Sequence, residues 1–413
     1  MLRLRPVHLV VAMCFTQIGG ILTGATFPSL IPTFQHEWGL NNTEAGWIAG
    51  VYFVGYVAAV PVLVSLTDRV DPRRVFLANM TVALAASLGF AFLAFEVWSA
   101  SFWRMLQGLA LAGTYMPGLK ALTDRVPERM HSRAIAFYTS SFSIGMSLSI
   151  LLAGEIEAAL DWRWAFILCA LGPVAAFVIG AVALEPAPPP DAPPPTKLLD
   201  FRPVIRNRKA FAYTLAYMVH NAELFALRSW VVAFLVYSQA QQAAGTLGLG
   251  IKATVIATAV TLMGMPSSVI GNEFAQRFGR LPVLIAIMGT SAVLAVVLGF
   301  SGDAPFWLVI AMVMVYGITI TADSSTITSG TLMAADPNYR GATMAVHSTV
   351  GFIGSAAGPI IFGVVLDLSG GETSNLAWGL AFTVMGLIVI TGPIFVYFLG
   401  GERQTRRKNG PAD

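Results

Sequence analysis

The chain has 413 residues, of which 56% are hydrophobic and 11% charged, against about 25% charged in an ordinary soluble domain. That deficit, with a mean hydropathy of +0.70, excludes a conventional water-soluble enzyme, a disordered chain and a collagen-like repeat. Basic residues number 25 against 22 acidic, a near balance that gives no reason to expect nucleic acid as a partner.

Apolar runs long enough to cross a hydrocarbon core about 30 Å thick fall, in chain order, at 8–31, 45–66, 75–95, 99–122, 134–156, 163–184, 209–237, 250–272, 281–301, 306–330, 342–367 and 376–399. The count is twelve. The first follows Arg3, Arg5 and Pro6, is too long for a signal peptide and lacks a small-residue cleavage pattern, so it reads as the first span. Cys14 and Cys169 lie inside apolar runs and read as small hydrophobes rather than as a disulfide or half a metal site.

Basic residues in short loops are retained on the cytoplasmic side. With both termini inside, 21 of the 25 lysines and arginines fall in cytoplasmic segments, Arg163 and Lys252 fall outside, and Arg104 and Arg228 are left within the membrane. The expectation is a multi-pass protein of the inner (plasma) membrane with both termini cytoplasmic. The spans divide at 185–208, where seven of the ten positions from Pro186 to Pro195 are proline, an extended, semi-rigid linker by composition. The expected organisation is a six-helix bundle over 1–184, the linker 185–208, a second six-helix bundle over 209–400 and a basic tail over 401–413 that abuts anionic lipid. Motifs recur between the halves: Asp68-Arg69-Val70-Asp71-Pro72-Arg73-Arg74 follows span two, and Gln276-Arg277-Phe278-Gly279-Arg280 follows span eight. Likewise Pro127 and Arg133 precede span five as Pro337 and Arg340 precede span eleven. Two such halves are the parallel-repeat plan of a transporter whose site lies between them.

The loop after span two resembles the Gly-x-x-x-Asp-Arg-x-Gly-Arg-Arg pattern of the major facilitator superfamily. Arg104-Met105-Leu106-Gln107-Gly108 is similar to that family's Arg-x-x-Gln-Gly motif. Val64 stands for the first glycine, Asp71-Pro72 replaces the turn glycine and adds a residue, and the second copy keeps Gly279 but has Gln276 for the acid. The resemblance implies an all-α membrane fold of two six-helix bundles related by pseudo-twofold symmetry. It also implies a cytoplasmic gate at Asp68, Arg69, Arg73, Arg277 and Arg280; the plainer reading of those charges is a basic loop that only fixes topology. Span five lacks the Gly-x-x-x-Gly-Pro motif of many drug antiporters of the family, although Gly358-Pro359 occurs in span eleven. This leans away from classical multidrug efflux.

An ionisable group at mid-helix costs at least about 2.5 kcal/mol and faces a cavity or a partner. Within the spans these groups are Arg104, His220, Glu223, Arg228, Asp323 and His347. Tyr213, Tyr217, His220 and Glu223 fall in one stripe about 120° wide on span seven, expected to line a central cavity, while Arg228 lies about 140° around the wheel from Glu223 and is not expected to form a simple pair with it. Substrate binding is therefore expected at Arg104, Gln107, Tyr115, Tyr217, His220, Glu223 and Arg228, and proton coupling at Glu223, Asp323 and His347. The alternatives are a structural bond from Arg104 to a main-chain carbonyl, a structural arginine neutralising Glu223, and packing histidines.

No Walker loop, no zinc-spaced Cys/His cluster and no nucleophile beside a base occurs. The expectations are thus no enzyme, no cofactor and no metal. The reading is a monomeric secondary transporter in the lipid bilayer that moves a small anion or zwitterion by proton-coupled alternating access. A proton-driven exporter of cationic or amphipathic drugs is one alternative; a non-transporting sensor or assembly factor is the other.

Overall fold

The computed structural model describes residues 5–188, 202–242 and 250–401. Most of the proline-rich linker and the basic tail lie outside the described residues. All regular structure among the described residues is helical, and the chain divides into two compact units. The first is Met1–Leu40, Trp47–Leu198 and Lys252–Leu262; the second is Asn41–Gly46, Leu199–Ile251 and Met263–Asp413.

The chain opens with α1 (Pro6–Ile21), α2 (Thr26–Ser29) and α3 (Ile31–Trp38). The single run expected over 8–31 is broken here. After Gly24 the prolines Pro28 and Pro32 each remove a backbone donor, and Pro32 restarts the helix at the first turn of α3. Then follow α4 (Asn42–Leu66), α5 (Pro72–Leu93), α6 (Val97–Thr123), α7 (His131–Ala159), α8 (Trp162–Cys169) and α9 (Leu171–Ala183). A short α10 (Arg202–Arg206) precedes α11 (Arg208–Ala240), the longest helix at 33 residues. The chain continues through α12 (Ala253–Phe278), α13 (Arg280–Gly299), α14 (Phe306–Ala322), α15 (Ser324–Ala334), α16 (Arg340–Leu368), α17 (Asn375–Val389) and α18 (Thr391–Phe398).

Among the described residues ten helices are long and apolar enough to cross a membrane, counting α8 with α9, α14 with α15, and α17 with α18 as single spans. This count does not confirm the expected twelve. α1 is only 16 residues long, and α6, although 27 residues long, carries Arg104, Gln107, Thr114 and Lys120. Side chains facing outward are those that lipid would solvate: Phe95 and Trp98 are each 71% exposed. Two of the breaks share a cause, since Gly172-Pro173 and Gly392-Pro393 stand at the starts of α9 and α18. The third break has no proline; α14 ends and α15 begins at Asp323 itself.

Glycines set the closest helix contacts. A Cβ on Gly108 of α6 would lie 1.6 Å from the Tyr52 carbonyl oxygen of α4, and one on Gly55 2.0 Å from that of Met105. In the second unit a Cβ on Gly271 of α12 would lie 1.8 Å from the Ala322 oxygen, and one on Gly354 of α16 1.9 Å from the Met218 oxygen of α11. Only residues without a Cβ let these backbones approach so closely.

Candidate functional site

In the first unit the Arg104 side chain on α6 is buried. Its Nη1 donates to Gln107 Oε1 at 2.8 Å and to the Thr23 carbonyl at 3.4 Å, and Nη2 donates to the Gly24 carbonyl at 3.1 Å. Those carbonyls are free because α1 stops at Ile21 and no following turn uses them. The guanidinium also lies 4.5 Å from the centre of the Tyr52 ring and 5.8 Å from that of Phe27. Arg104 thus closes the helix break, the geometry of the carbonyl alternative. Gln107, one turn on, is buried and its Nε2 has no hydrogen-bond partner. Tyr115, expected beside them, stacks instead on Tyr138 and meets the Phe142 ring edge-on.

In the second unit α11 is enclosed, with 89% of its most apolar window buried. Within this unit the stripe on its surface meets three sets of neighbours. Glu223 Oε1 accepts the Ser291 hydroxyl of α13 and the Tyr316 hydroxyl of α14, each at 2.9 Å; among the described residues no arginine forms an ion pair with it. Tyr213 packs against Gly330 of α15. Tyr217 stacks on His347 of α16 at 4.1 Å and on His220 at 5.7 Å, each imidazole within 19° of parallel to the Tyr217 ring.

His220 Nδ1 lies 2.8 Å from Asp323 Oδ1, with both side chains buried. The approach is an ion-pair distance without hydrogen-bond alignment, because both of those atoms and His220 Nε2 lack a hydrogen-bond partner. His347 differs: Nδ1 is 3.1 Å from the Thr331 hydroxyl and Nε2 3.4 Å from that of Thr328. Arg228, half-buried, lies 5.1 Å from the centre of the Phe225 ring. It has no carboxylate partner among the described residues.

The expected gate residues make separate contacts, each within its own unit. Asp68 and Arg69 form no ion pair among the described residues. Arg73 donates to the Ala181 carbonyl at 3.0 Å, Arg277 lies over Phe278, and Arg280 donates to the Thr326 carbonyl at 3.2 Å. The buried acid of this loop is Asp71, which caps α5 by accepting the Arg73 N–H at 3.0 Å. It also accepts Arg125 Nη2 and the Ala187 N–H, each at 2.8 Å. Burial alone would push this carboxyl up, but the Ala187 N–H, Arg125 and the Arg73 N–H outweigh it and hold the group below the usual carboxylate range. Sequence reading passed over Asp71 as an insertion, although Asp followed by Pro is a helix-start signal.

Among the described residues no group of three or more His, Cys, Asp or Glu is placed to hold a metal ion.

The family model described as Major Facilitator Superfamily matches residues 12–254 and 230–413. The chain belongs to this superfamily. As a member of the Major Facilitator Superfamily it is a multi-pass membrane protein. A probable sphingolipid transporter of Arabidopsis thaliana, spinster homolog 1, is 27% identical over 152 residues, which is 37% of this chain and only 30% of that relative's length. Human monocarboxylate transporter 11 is 27% identical over 92% of this chain and 73% of its own. The solved structure of a bacterial homolog of the human lysosomal transporter Spinster, inward-facing and unoccupied, covers 98% of this chain and 99% of that one. Its TM-score is 0.72 at 13% identity, a likeness of fold. The superfamily motif residues Arg104, Gln107 and Gly108 form the tight α4–α6 contact and the closure of the α1 break described above.

Proposed function

We propose that the protein is a proton-coupled secondary transporter that moves a small organic anion across the inner (plasma) membrane by alternating access, as a monomer with both termini cytoplasmic. The observation that carries this reading is Arg228. A guanidinium stays charged at any physiological pH, and a charge in a transmembrane helix calls for a partner. Every other cationic or acidic group expected in the membrane has a protein partner, whereas among the described residues Arg228 has an aromatic ring and no carboxylate. An anionic solute completes it. Tyr217 on the same helix, about 20° around the wheel from Arg228, adds a hydroxyl.

Monocarboxylates are the first class to test, because a carboxylate matches the planar guanidinium fork with two parallel bonds, and one relative is a monocarboxylate transporter over 92% of this chain. The candidates for proton exchange are the buried groups Glu223, Asp323 and His347. A cationic drug is disfavoured, since Glu223 and Asp323 are both about 1% exposed and face protein hydroxyls and an imidazole.

The test is a thermal-shift measurement on purified protein with acetate, lactate, benzoate and tetraethylammonium. A ligand at about 100 times its Kd stabilises the folded state by about 2.7 kcal/mol. At least one carboxylate is expected to raise the transition temperature of the wild type and leave that of Arg228→Gln unchanged. Stabilisation by tetraethylammonium alone would overturn the anion reading.

A further inference from the structure

Two buried carboxylates sit in the second unit, and their surroundings differ in one chemical respect. Glu223 Oε1 is held by two hydroxyls, from Ser291 and Tyr316, each at 2.9 Å. A serine or tyrosine hydroxyl can donate to a carboxylate, but it is not a base that accepts a proton near neutral pH. Asp323 faces an imidazole, whose two nitrogens can accept a proton on one edge and donate one from the other. His220 Nδ1 lies 2.8 Å from Asp323 Oδ1, and His220 Nε2, on the opposite edge of the ring, has no partner although the side chain is 0% exposed. Buried polar groups are normally satisfied, so orphaned atoms on both edges of one ring need a reason.

Asp323 is also the joint of a broken helix. α14 ends and α15 begins at this residue with no proline to cause the break. A change of charge at Asp323 therefore acts at the junction of the two helices.

Resting on the proton-coupled reading above, we infer that Asp323 and His220 together form the proton-exchange site of this transporter, with His220 as the relay, and that Glu223 is a fixed acid that only positions α11 against α13 and α14. In the relay, once the 2.8 Å contact is turned into hydrogen-bond alignment, the Asp323 O–H bond breaks as the proton moves to His220 Nδ1. The imidazolium then releases the proton on Nε2, leaving the ring as its other tautomer. One proton enters the pair and one leaves; no other bond changes. The return step runs the same bonds in reverse.

The titratable or charged groups around the pair are Tyr217, Glu223 and Arg228 on α11, Tyr316 on α14 and His347 on α16. α15 and the stretch of α12 from Gly264 to Gly271 bring no titratable side chain. His347 stands across the Tyr217 ring from His220, but both its nitrogens already face hydroxyls, so it is the next group along and not part of the pair.

The experiment is an infrared titration of the purified full-length protein from about pH 5 to about pH 9, a range that brackets histidine titration, following the C=O stretch of protonated carboxyl groups. Wild type should show a titrating carboxyl band that Asp323→Asn removes and Glu223→Gln retains. His220→Gln should move its midpoint by about one pH unit, the size of shift that a close titrating neighbour produces. Asp323→Glu, which keeps the carboxyl on a longer arm, should displace the band, and it serves if His220→Gln does not fold. A titrating band removed by Glu223→Gln and kept by Asp323→Asn would overturn this assignment alone, as would a midpoint that His220→Gln and Asp323→Glu both leave in place. The absence of any titrating carboxyl band would overturn the proton-coupled reading as well.

Discussion

Asp71 holds the Arg125 guanidinium at 2.8 Å, tying the first turn of α5 to the chain just beyond the end of α6. The same Arg125 donates to the Glu185 carbonyl through Nε and Nη2, and the second Asp71 oxygen accepts the Ala187 N–H. The exit from α9 is thereby pinned at three points. Because the folded pKa of Asp71 lies below its unfolded value, its contribution is complete above the unfolded pKa, about 3.9, and is lost as pH falls through the folded value. Asp71→Asn is expected to melt earlier than wild type at neutral pH, with the two transitions converging at or below about pH 4. Melting curves of both proteins across that range check this; curves that stay parallel would contradict it.

Arg104 serves the helix break, so its replacement should be felt first as stability. Arg104→Gln leaves the Thr23 and Gly24 carbonyls without their donor and is expected to cost about 2 to 3 kcal/mol, the range for hydrogen bonds to a charged group and for buried acceptors left unpaired. Arg104→Lys keeps the charge but not the fork, and should recover only part of that loss. Comparing transition temperatures of the two variants with wild type tests the assignment; a full recovery in Arg104→Lys would show that charge alone matters.

The glycine contacts give a sharper steric prediction. Added Cβ atoms at Gly108 and Gly271 would fall 1.6 Å and 1.8 Å from main-chain oxygens, which rotamer change cannot relieve. Each alanine variant is expected to lose about 1 to 3 kcal/mol, as overpacked cores do. Gly289→Ala is the control, since nothing lies within 4 Å of a Cβ there. Equal stability of all three variants would contradict the close approach.

Asp367, in the last turn of α16, caps the first turn of α4 from another helix. Its Oδ1 accepts the Asn42 N–H at 3.1 Å and Nδ2 at 2.8 Å, and its Oδ2 accepts the Thr43 N–H at 2.7 Å and hydroxyl at 2.6 Å. An N-terminal cap of this kind contributes about 0.5 to 2 kcal/mol. Asp367→Ala should lose stability in that range and expose the first amides of α4 to hydrogen exchange; unchanged exchange at residues 42–45 would refute the capping role.

Much of this was readable in advance, and the misses have physical causes. Long apolar runs and costly intramembrane charges stand out in a chain with 11% charged residues, so Arg104, His220, Glu223, Arg228, Asp323 and His347 were identifiable one by one. Their partners were not. Ser291 and Tyr316 are ordinary helix residues far along the chain, and the Thr23 and Gly24 carbonyls become acceptors only because α1 breaks. The helical wheel placed Tyr217, His220 and Glu223 correctly around α11. It did not reveal that α11 is surrounded, so that the three side chains meet α16, the α14–α15 joint, and α13 with α14. In the loop after α4 the motif drew attention to Asp68, whereas the buried acid is Asp71, three residues on, whose capping position follows from Pro72.

The central claim is that an organic anion held at Arg228 moves together with protons. Its most direct test is proton flux in vesicles reconstituted with the purified protein and loaded with a pH-sensitive dye, to which acetate, lactate or benzoate is added outside. The account predicts a pH change inside that needs both the protein and the anion, that Arg228→Gln abolishes, and that Asp323→Asn abolishes while leaving anion binding intact. Anion-driven proton flux of wild-type rate in Arg228→Gln would contradict it.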